Sequence, residues 1–359
     1  MRCLNCGKNG LSVSTEVCPS CGVHIPTLMR DVLPPGTELR GGAYRIDYAL
    51  GRGGFGITYR AGNIYFKEVV AIKEYYPHEH AFREGATGKL NVPATQADSY
   101  QRGLQRFIRE GQILRGINHP NIVGVKDIFE ECGTAYLVME MVDGKTLADE
   151  LKTQPNGRLS PKRVEEIIGQ LVAALDKVHQ GEVHHLDLKP NNVLLAPDGR
   201  VVLVDFGAAR RGFSSTTTQA FTLEYAPLEL ISGADVGPES DLFEVGMMLH
   251  EMLTGELPPS ALERLRNTWE PNSISDPWKS LLQKALAMDM EQRPSSIQTW
   301  WDAKAALPPP PPGRENEELV GMIETAMGIS SKAKPTETTK APGREPASKS
   351  LLDQLNDLF

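Results

Sequence analysis

The sequence predicts an α+β protein in which a small sheet-rich lobe precedes a larger helical one. Two observations carry this. Residues 44 to 73 are rich in β-branched and aromatic residues with glycine punctuation, the pattern of strands. Further along, Val164, Ile167, Ile168, Leu171, Leu175 and Val178 recur at helical spacing behind a Ser160-Pro161 start signal. Strands first and helices after is the α+β order. With 359 residues, 40% hydrophobic and 23% charged, the chain can bury a sizeable core, and disorder throughout is excluded.

Taken from the N-terminus, the first element is a cysteine module over residues 1–25. Cys3-x-x-Cys6 and Cys18-x-x-Cys21 form a C-x2-C-x11-C-x2-C array, with Gly7 and Gly22 behind the second cysteine of each pair. Four soft thiolates meeting as a tetrahedron suit Zn2+. Iron or redox-active cysteines are the competing reading. The array is similar to a zinc ribbon. Four cysteines close the coordination shell, so the module is assigned no catalysis. His24 reads as an ordinary exposed histidine. A linker over residues 26–43 is marked by Pro34-Pro35-Gly36, and the main globular unit spans 44–306. Residues 307–349 hold the run Pro308 to Pro312 and a stretch rich in Glu, Lys, Thr, Pro and Ser, read as a disordered linker. At 350–359, Leu351, Leu352, Leu355, Leu358 and Phe359 follow Ser350 at helical spacing. They predict a short amphipathic helix, either a fraying end or a docking element.

Composition limits the partners. The 38 Lys+Arg against 46 Asp+Glu leave a net charge of -8, so no global basic footprint favours nucleic acid. No run of 18 apolar residues occurs, so no membrane span is expected. The start has no apolar export signal, and paired cysteines read as metal ligands in a reducing compartment. The expected location is therefore the cytoplasm.

The chemistry lies in a series of motifs. Gly51-Arg52-Gly53-Gly54-Phe55-Gly56 is a G-x-G-x-x-G loop. Alone it could be any glycine-rich turn. It runs into Ile57-Thr58-Tyr59, which prefers strand, whereas a dinucleotide-binding loop must open a helix. A glycine loop between strands can lie over phosphates as a flap. Val70-Ala71-Ile72-Lys73 then ends an apolar strand in a lysine that can reach phosphates. Glu110, on a helical pattern with Leu104, Ile113 and Leu114, is its candidate carboxylate partner. His185-Leu186-Asp187-Leu188-Lys189-Pro190-Asn191-Asn192 precedes the apolar Val193-Leu194-Leu195, and Asp205-Phe206-Gly207 follows the strand ending at Val204. Asp187 can accept or orient a hydroxyl proton. Asn192 and Asp205 offer hard oxygen ligands to magnesium.

In this order the motifs resemble those of a bacterial eukaryotic-type (Hanks-type) serine/threonine protein kinase, over residues of about 44 to 306. The resemblance implies a two-lobed protein-kinase fold that uses ATP with Mg2+ or Mn2+ and acts on Ser/Thr hydroxyls of proteins. It implies ATP contacts from Leu50, Gly51, Gly53, Gly54, Phe55, Gly56, Thr58, Ala71, Lys73, Met139, Glu140, Val142, Asn192 and Asp205. Met139 falls at the gatekeeper position, with Glu140 to Val142 as the hinge. The implied catalytic set is Lys73, Glu110, Asp187, Lys189, Asn192 and Thr222. Lys189, two positions after Asp187, favours a Ser/Thr acceptor. Tyr225, Ala226-Pro227-Leu228-Glu229, Asp241, Gly246 and Arg293 match later landmarks, with Arg293 expected to pair with Glu229. The segment between Lys73 and Glu110 is longer than most kinases have there.

One position departs from the family. Leu186 replaces the arginine that ordinarily grips a phosphate on the activation segment. The predicted ATP and magnesium ligands are untouched, so an active enzyme is expected. The departure argues against phosphorylation of that segment as the on-switch. The runner-up is a pseudokinase scaffold that binds partners through the cysteine module and C-terminal helix. A small-molecule kinase is disfavoured by Thr222 through Glu229, which resemble a platform for protein substrates.

Overall fold

The computed structural model describes residues 3–306, apart from 5, 7, 9, 13, 54–55, 85–87, 207–209 and 212–220. The proline run, the expected C-terminal helix and the hydroxyl-rich stretch Ser214 to Thr218 lie outside the described residues.

The chain opens with the cysteine module and a short helix, α1 (Ile25–Met29), started by Pro26. The stretch expected as linker carries α1 and also strand β1 (Glu38–Leu39), which adds to the main sheet. That sheet continues with β2 (Tyr44–Gly53), β3 (Gly56–Asn63) and β4 (Glu68–Tyr75). A hairpin of β5 (Phe82–Arg83) and β6 (Leu90–Asn91) follows, then helix α2 (Ala97–Arg115), β7 (Val125–Glu131) and β8 (Thr134–Glu140). The six-stranded order is β1-β2-β3-β4-β8-β7, with every neighbouring pair antiparallel. β4 and β8 are the central strands, and Val70 to Ile72 and Thr134 to Met139 are buried runs.

Helix α2 packs on β7 and β8. Its buried face is Tyr100, Leu104, Phe107, Glu110, Gly111 and Leu114, so a carboxylate lies on an otherwise apolar stripe. Gly111 permits this approach: a Cβ there would meet Ile128 Cδ1 and Leu137 Cδ1 at 2.7 Å. The long segment before α2 is pinned through Arg83. Its guanidinium donates to Glu74 Oε2 at 2.7 Å, and the same fully buried carboxylate receives the hydroxyls of Tyr59 (2.8 Å) and Tyr136 (2.9 Å). A buried charge survives because it is paired and hydrogen-bonded.

The second lobe begins with β9 (Lys145–Thr146) and α3 (Leu147–Thr153), capped by the Thr146 hydroxyl. Helix α4 (Pro161–His179) starts at the Ser160 cap, as its sequence signal predicts. Strands β10 (Val183–His184), β11 (Val193–Leu195), β12 (Val201–Leu203) and β13 (Arg210–Arg211) follow. β9, β11 and β12 form a three-stranded sheet, and β10 pairs with β13. Then come α5 (Leu228–Ser232), α6 (Pro238–Thr254), α7 (Ala261–Arg264), α8 (Trp278–Ala285) and α9 (Ile297–Asp302). α6 is buried almost all round, from Ser240 to His250 and again at Met252, and forms the axis of this lobe. Trp300 of α9 closes the core by donating from its indole to the Leu281 carbonyl at 2.9 Å.

Arg293 and Glu229 form the expected pair. The guanidinium is fully buried and meets the carboxylate at 2.6 and 3.3 Å. Its remaining donors reach the carbonyls of Ala287, Glu239 and Met288. Ser240 donates to Glu229 Oε1 at 2.8 Å. Removing one partner leaves a buried charge uncompensated. Arg293→Ala should therefore cost about 3 kcal/mol or more. Urea denaturation measures this, and a loss below about 1 kcal/mol, as for a surface pair, would contradict the reading.

Candidate active site

Lys73 lies in the middle of the sheet, paired across to Thr58 on β3 and Leu137 on β8. Its ammonium stands 3.4 Å from Glu110 Oε1 and 2.6 Å from Asp205 Oδ1. Burial works against that charge, but Asp205 and Glu110 outweigh it and hold the lysine pKa above its usual range. Burial pushes the Glu110 carboxyl up, against the pull of Lys73. The contact requires the buried stripe of α2, the central strand and the end of β12 to meet at one point.

Leu50, Gly51, Gly53, Gly56 and Thr58 lie along the β2–β3 hairpin, while Gly54 and Phe55 lie outside the described residues. Gly56 is required by contact. A Cβ there would stand 2.2 Å from the Glu74 carbonyl oxygen. Ala71 pairs with Met139, so both belong to adjacent central strands, and both are buried. Glu140 donates its N–H to the Gly124 carbonyl and pairs its carboxylate with Arg200 at 3.4 Å. Val142 is buried just beyond.

The loop between β10 and β11 brings the second group together. Asp187 is the hub. Its Oδ2 accepts from Lys189 Nζ (2.6 Å) and Asn192 Nδ2 (3.1 Å), and its Oδ1 accepts from the Thr222 hydroxyl (2.8 Å) and N–H (3.0 Å). Lys189 also donates to Thr222 Oγ1 at 2.7 Å. Asn192 is buried, and its amide N–H further holds the Asp187 carbonyl at 2.8 Å. With its amide nitrogen turned to Asp187, the side chain of Asn192 has its amide oxygen as the atom that could ligate a cation. The Val204 N–H donates to the Asn192 carbonyl at 2.9 Å, which brings Asp205 beside it. A half-exposed carboxylate next to an amide oxygen is a hard donor set that fits a divalent cation such as Mg2+.

The loop is held from below by α6. Asp241 is fully buried and accepts the N–H groups of His185 (2.9 Å) and Leu186 (2.8 Å) and the ring of His179 (2.7 Å). One turn on, Glu244 accepts the Leu188 N–H at 2.7 Å. Burial and the nearby Asp241 push the Glu244 carboxyl well up. Sequence reading named Asp241 and missed Glu244. Its signal was an acidic residue three positions on from Asp241, on the same face of the helix. The His185 ring lies tilted against the buried Phe206 ring with centroids 4.5 Å apart, and burial holds its imidazole below its usual range.

Leu186 has no exposed surface and joins an apolar cluster of Ala226, Leu230 and Val236, with Phe221 packed against it. The position where the family carries an arginine is thus a hydrophobic anchor for the segment that leads to Thr222.

The four module cysteines also converge. Their Sγ atoms all lie within 4.8 Å of one another. Cys3 and Cys21 are 3.8 Å apart, and Cys6 and Cys18 are 3.6 Å apart. His24 is exposed and bonds Thr27 at 2.8 Å, outside this group.

Against known proteins, the protein kinase domain family matches residues 44–304. The chain belongs to the protein kinase domain family. This kinase is 30% identical over 289 residues to the serine/threonine-protein kinase PrkC of Bacillus subtilis (strain 168), covering 73% of this chain and 41% of that one. It is 32% identical over 220 residues to the probable serine/threonine-protein kinase PknB of Lactococcus lactis subsp. lactis (strain IL1403), covering 60% and 32%. The chain therefore spans less than half the length of these relatives. Among solved structures, "PpkA-294 apo form" superposes with a TM-score of 0.67 at 28% identity, covering 76% of this chain and 99% of that one. The two-lobed kinase fold expected from the motifs is the fold observed. Among the described residues, no helix is long and apolar enough to cross a membrane.

Proposed function

We propose that this kinase domain is an active serine/threonine protein kinase that transfers the ATP γ-phosphoryl group to Ser/Thr hydroxyls of proteins, itself included, in bacterial signalling. The observation that carries the reading is the closed set Asp187, Lys189 and Thr222, in which one carboxylate is held by an ammonium, a hydroxyl and an amide. An acceptor hydroxyl entering beside Thr222 would meet Asp187 as proton acceptor and Lys189 as the charge that offsets the moving phosphoryl group. Lys73, fixed by Glu110, would hold the ATP phosphates, and Asn192 and Asp205 would hold the divalent cation. Such a cation, when bound, would offset the negative charge of the phosphates. The intact set argues against the scaffold reading.

With Mg-ATP and a generic protein substrate, the full chain should phosphorylate serine or threonine. Lys73→Met, Asp187→Asn and Asp205→Ala should each lower turnover by about 10²-fold or more. Near-normal phosphorylation by all three would defeat the assignment, and an inactive native chain would favour the scaffold.

The cysteine module reads as a structural Zn2+ site. Four thiolates at a Zn–S distance of about 2.3 Å define a tetrahedron with edges of about 3.8 Å. The 3.6 and 3.8 Å separations agree with that edge. Thiolate–metal use of cysteine belongs to reducing compartments, which supports a cytoplasmic location. Docking of a partner protein on the module or on the C-terminal residues remains part of this reading, with nucleic acid disfavoured by charge. Metal analysis of the isolated protein should give about one zinc per chain. Cys3→Ser with Cys6→Ser should abolish it, and native protein free of zinc would refute the site.

The buried Leu186 cluster supports activity without prior phosphorylation of the activation segment. Apolar packing against Phe221 does there what an arginine–phosphate contact does elsewhere. Phosphatase-treated enzyme should phosphorylate an exogenous substrate without a lag. Alanine at Ser214, Ser215, Thr216, Thr217 and Thr218 together should keep most activity, and Thr222→Ala should damage it. A lag removed by preincubation with ATP and abolished by the fivefold change would count against this reading.

A further inference from the structure

The cysteine module and the glycine-rich strand are joined by a short path of contacts. Between Gly51 and Gly53, Arg52 is the residue with a side chain by which the end of β2 can be gripped. Its guanidinium donates to the Leu28 carbonyl at 3.1 Å and to Asp31 Oδ2 at 3.1 Å. It also lies 5.5 Å from the centre of the buried Tyr76 ring. Both members of the ion pair are largely buried, at 17% and 22% exposure. Leu28 is in the last turn of α1, where carbonyls have no intrahelical partner. Arg52 supplies one.

The residues that receive Arg52 are fixed twice. Toward the kinase lobe, the Asp31 carbonyl accepts from Arg83 Nε at 2.7 Å, and the Leu33 N–H donates to the Tyr59 hydroxyl at 3.2 Å. Arg83 and Tyr59 both end on Glu74, the neighbour of Lys73. Toward the module, Ile25 is buried in one cluster with Cys3, Leu11 and Cys18, and Leu28 and Met29 pack on that cluster. Met29 also packs on the lobe core, as does Leu4 from between the first two cysteines. The Ile25 N–H donates to the Glu16 carbonyl at 2.8 Å. A module with so small an apolar core folds only with its metal. The place of α1 and Leu28 therefore depends on the state of the four cysteines, and so does the way Arg52 sits between Leu28 and Asp31.

We propose that residues 28–33 are a support for the glycine-rich strand, that Arg52 is the positioning residue gripping it, and that metal occupancy of the cysteine module sets the affinity for ATP. The module then acts as a zinc- or thiol-sensitive control on nucleotide binding. Losing the metal releases α1, frees Arg52 and lets the strand over the phosphates move. This rests on the kinase and zinc readings above and goes beyond the accessory role expected of the module. The route is a contiguous chain of packed and hydrogen-bonded groups, as energetic coupling between sites requires.

The test uses the full chain and measures zinc content, the Kd of a fluorescent non-hydrolysable ATP analogue, and KM for ATP alongside kcat. Asp31→Asn and Arg52→Met should each weaken analogue binding by about three- to ten-fold. The double variant should be no weaker than Arg52→Met alone, because both break one contact. Stripping zinc with a chelator should weaken binding by a similar factor in the native chain and leave Arg52→Met unmoved. For Asp31→Asn the change should fall on KM, with kcat within about two-fold. Zinc loss with no change in Kd would overturn the proposal. So would independent, multiplying effects of the two substitutions. A native chain that binds the analogue without phosphorylating substrate defeats the activity reading alone, since Kd still tests the coupling. Protein isolated without zinc overturns the metal dependence, while the Asp31 and Arg52 variants still decide the support.

Discussion

Asp241 has no exposed surface, yet its carboxylate receives the N–H groups of His185 and Leu186 and the ring of His179. Burial alone would raise its pKa, and the hydrogen bond and charge from His179 with the His185 ring and N–H bring it below the usual range. The arrangement turns a costly buried charge into a fixed point for the loop. Leu186 adopts a positive φ of 62° there, an unfavourable conformation for a branched side chain. The two N–H groups aimed at Asp241 and the apolar pocket around the leucine side chain hold it. Everything from Asp187 to Asn192 takes its position from that anchor, with Glu244 adding a second hold at Leu188.

The sheet lobe depends on a similar device. Glu74 is buried beneath the sheet and is satisfied by Arg83, Tyr59 and Tyr136. Because Lys73 precedes it in β4 and alternates to the other side of the strand, the cluster stiffens the strand that presents the lysine. The segment preceding α2 thereby becomes part of the lobe rather than a loose insertion. Its hairpin also donates the Leu90 N–H to the Cys132 carbonyl at 2.9 Å.

The two ends of the site are joined by charge. Lys73 meets Glu110 from α2 and Asp205 from the helical lobe in one contact set, so the arrangement exists only when α2 is seated against the sheet. Gly111 lets it seat. The N-terminal residues reach the same lobe through Arg52 and Arg83, which both meet Asp31.

The chemistry of this protein was written locally. Lys73, Asp187, Asn192 and Asp205 sit in short strings whose residue types and order match the motifs of the protein kinase domain family, so reading along the chain finds them. The four cysteines are legible for the same reason, since two C-x-x-C spacings each place two thiols close together, and the fold gathers all four within 4.8 Å. The strand and helix periods of β4 and α4 are legible because burial of one face repeats with the backbone. What tertiary structure alone decided are the contacts between residues far apart in sequence: Arg83 on Glu74, Glu244 under Leu188, Leu186 against Phe221 and Val236, and Arg52 on Leu28 and Asp31. Each is one charged or apolar side chain with no local pattern around it. Its partner is set by which surfaces the packed lobes and the cysteine module bring within hydrogen-bonding or van der Waals distance, and no period or motif along the chain encodes that distance.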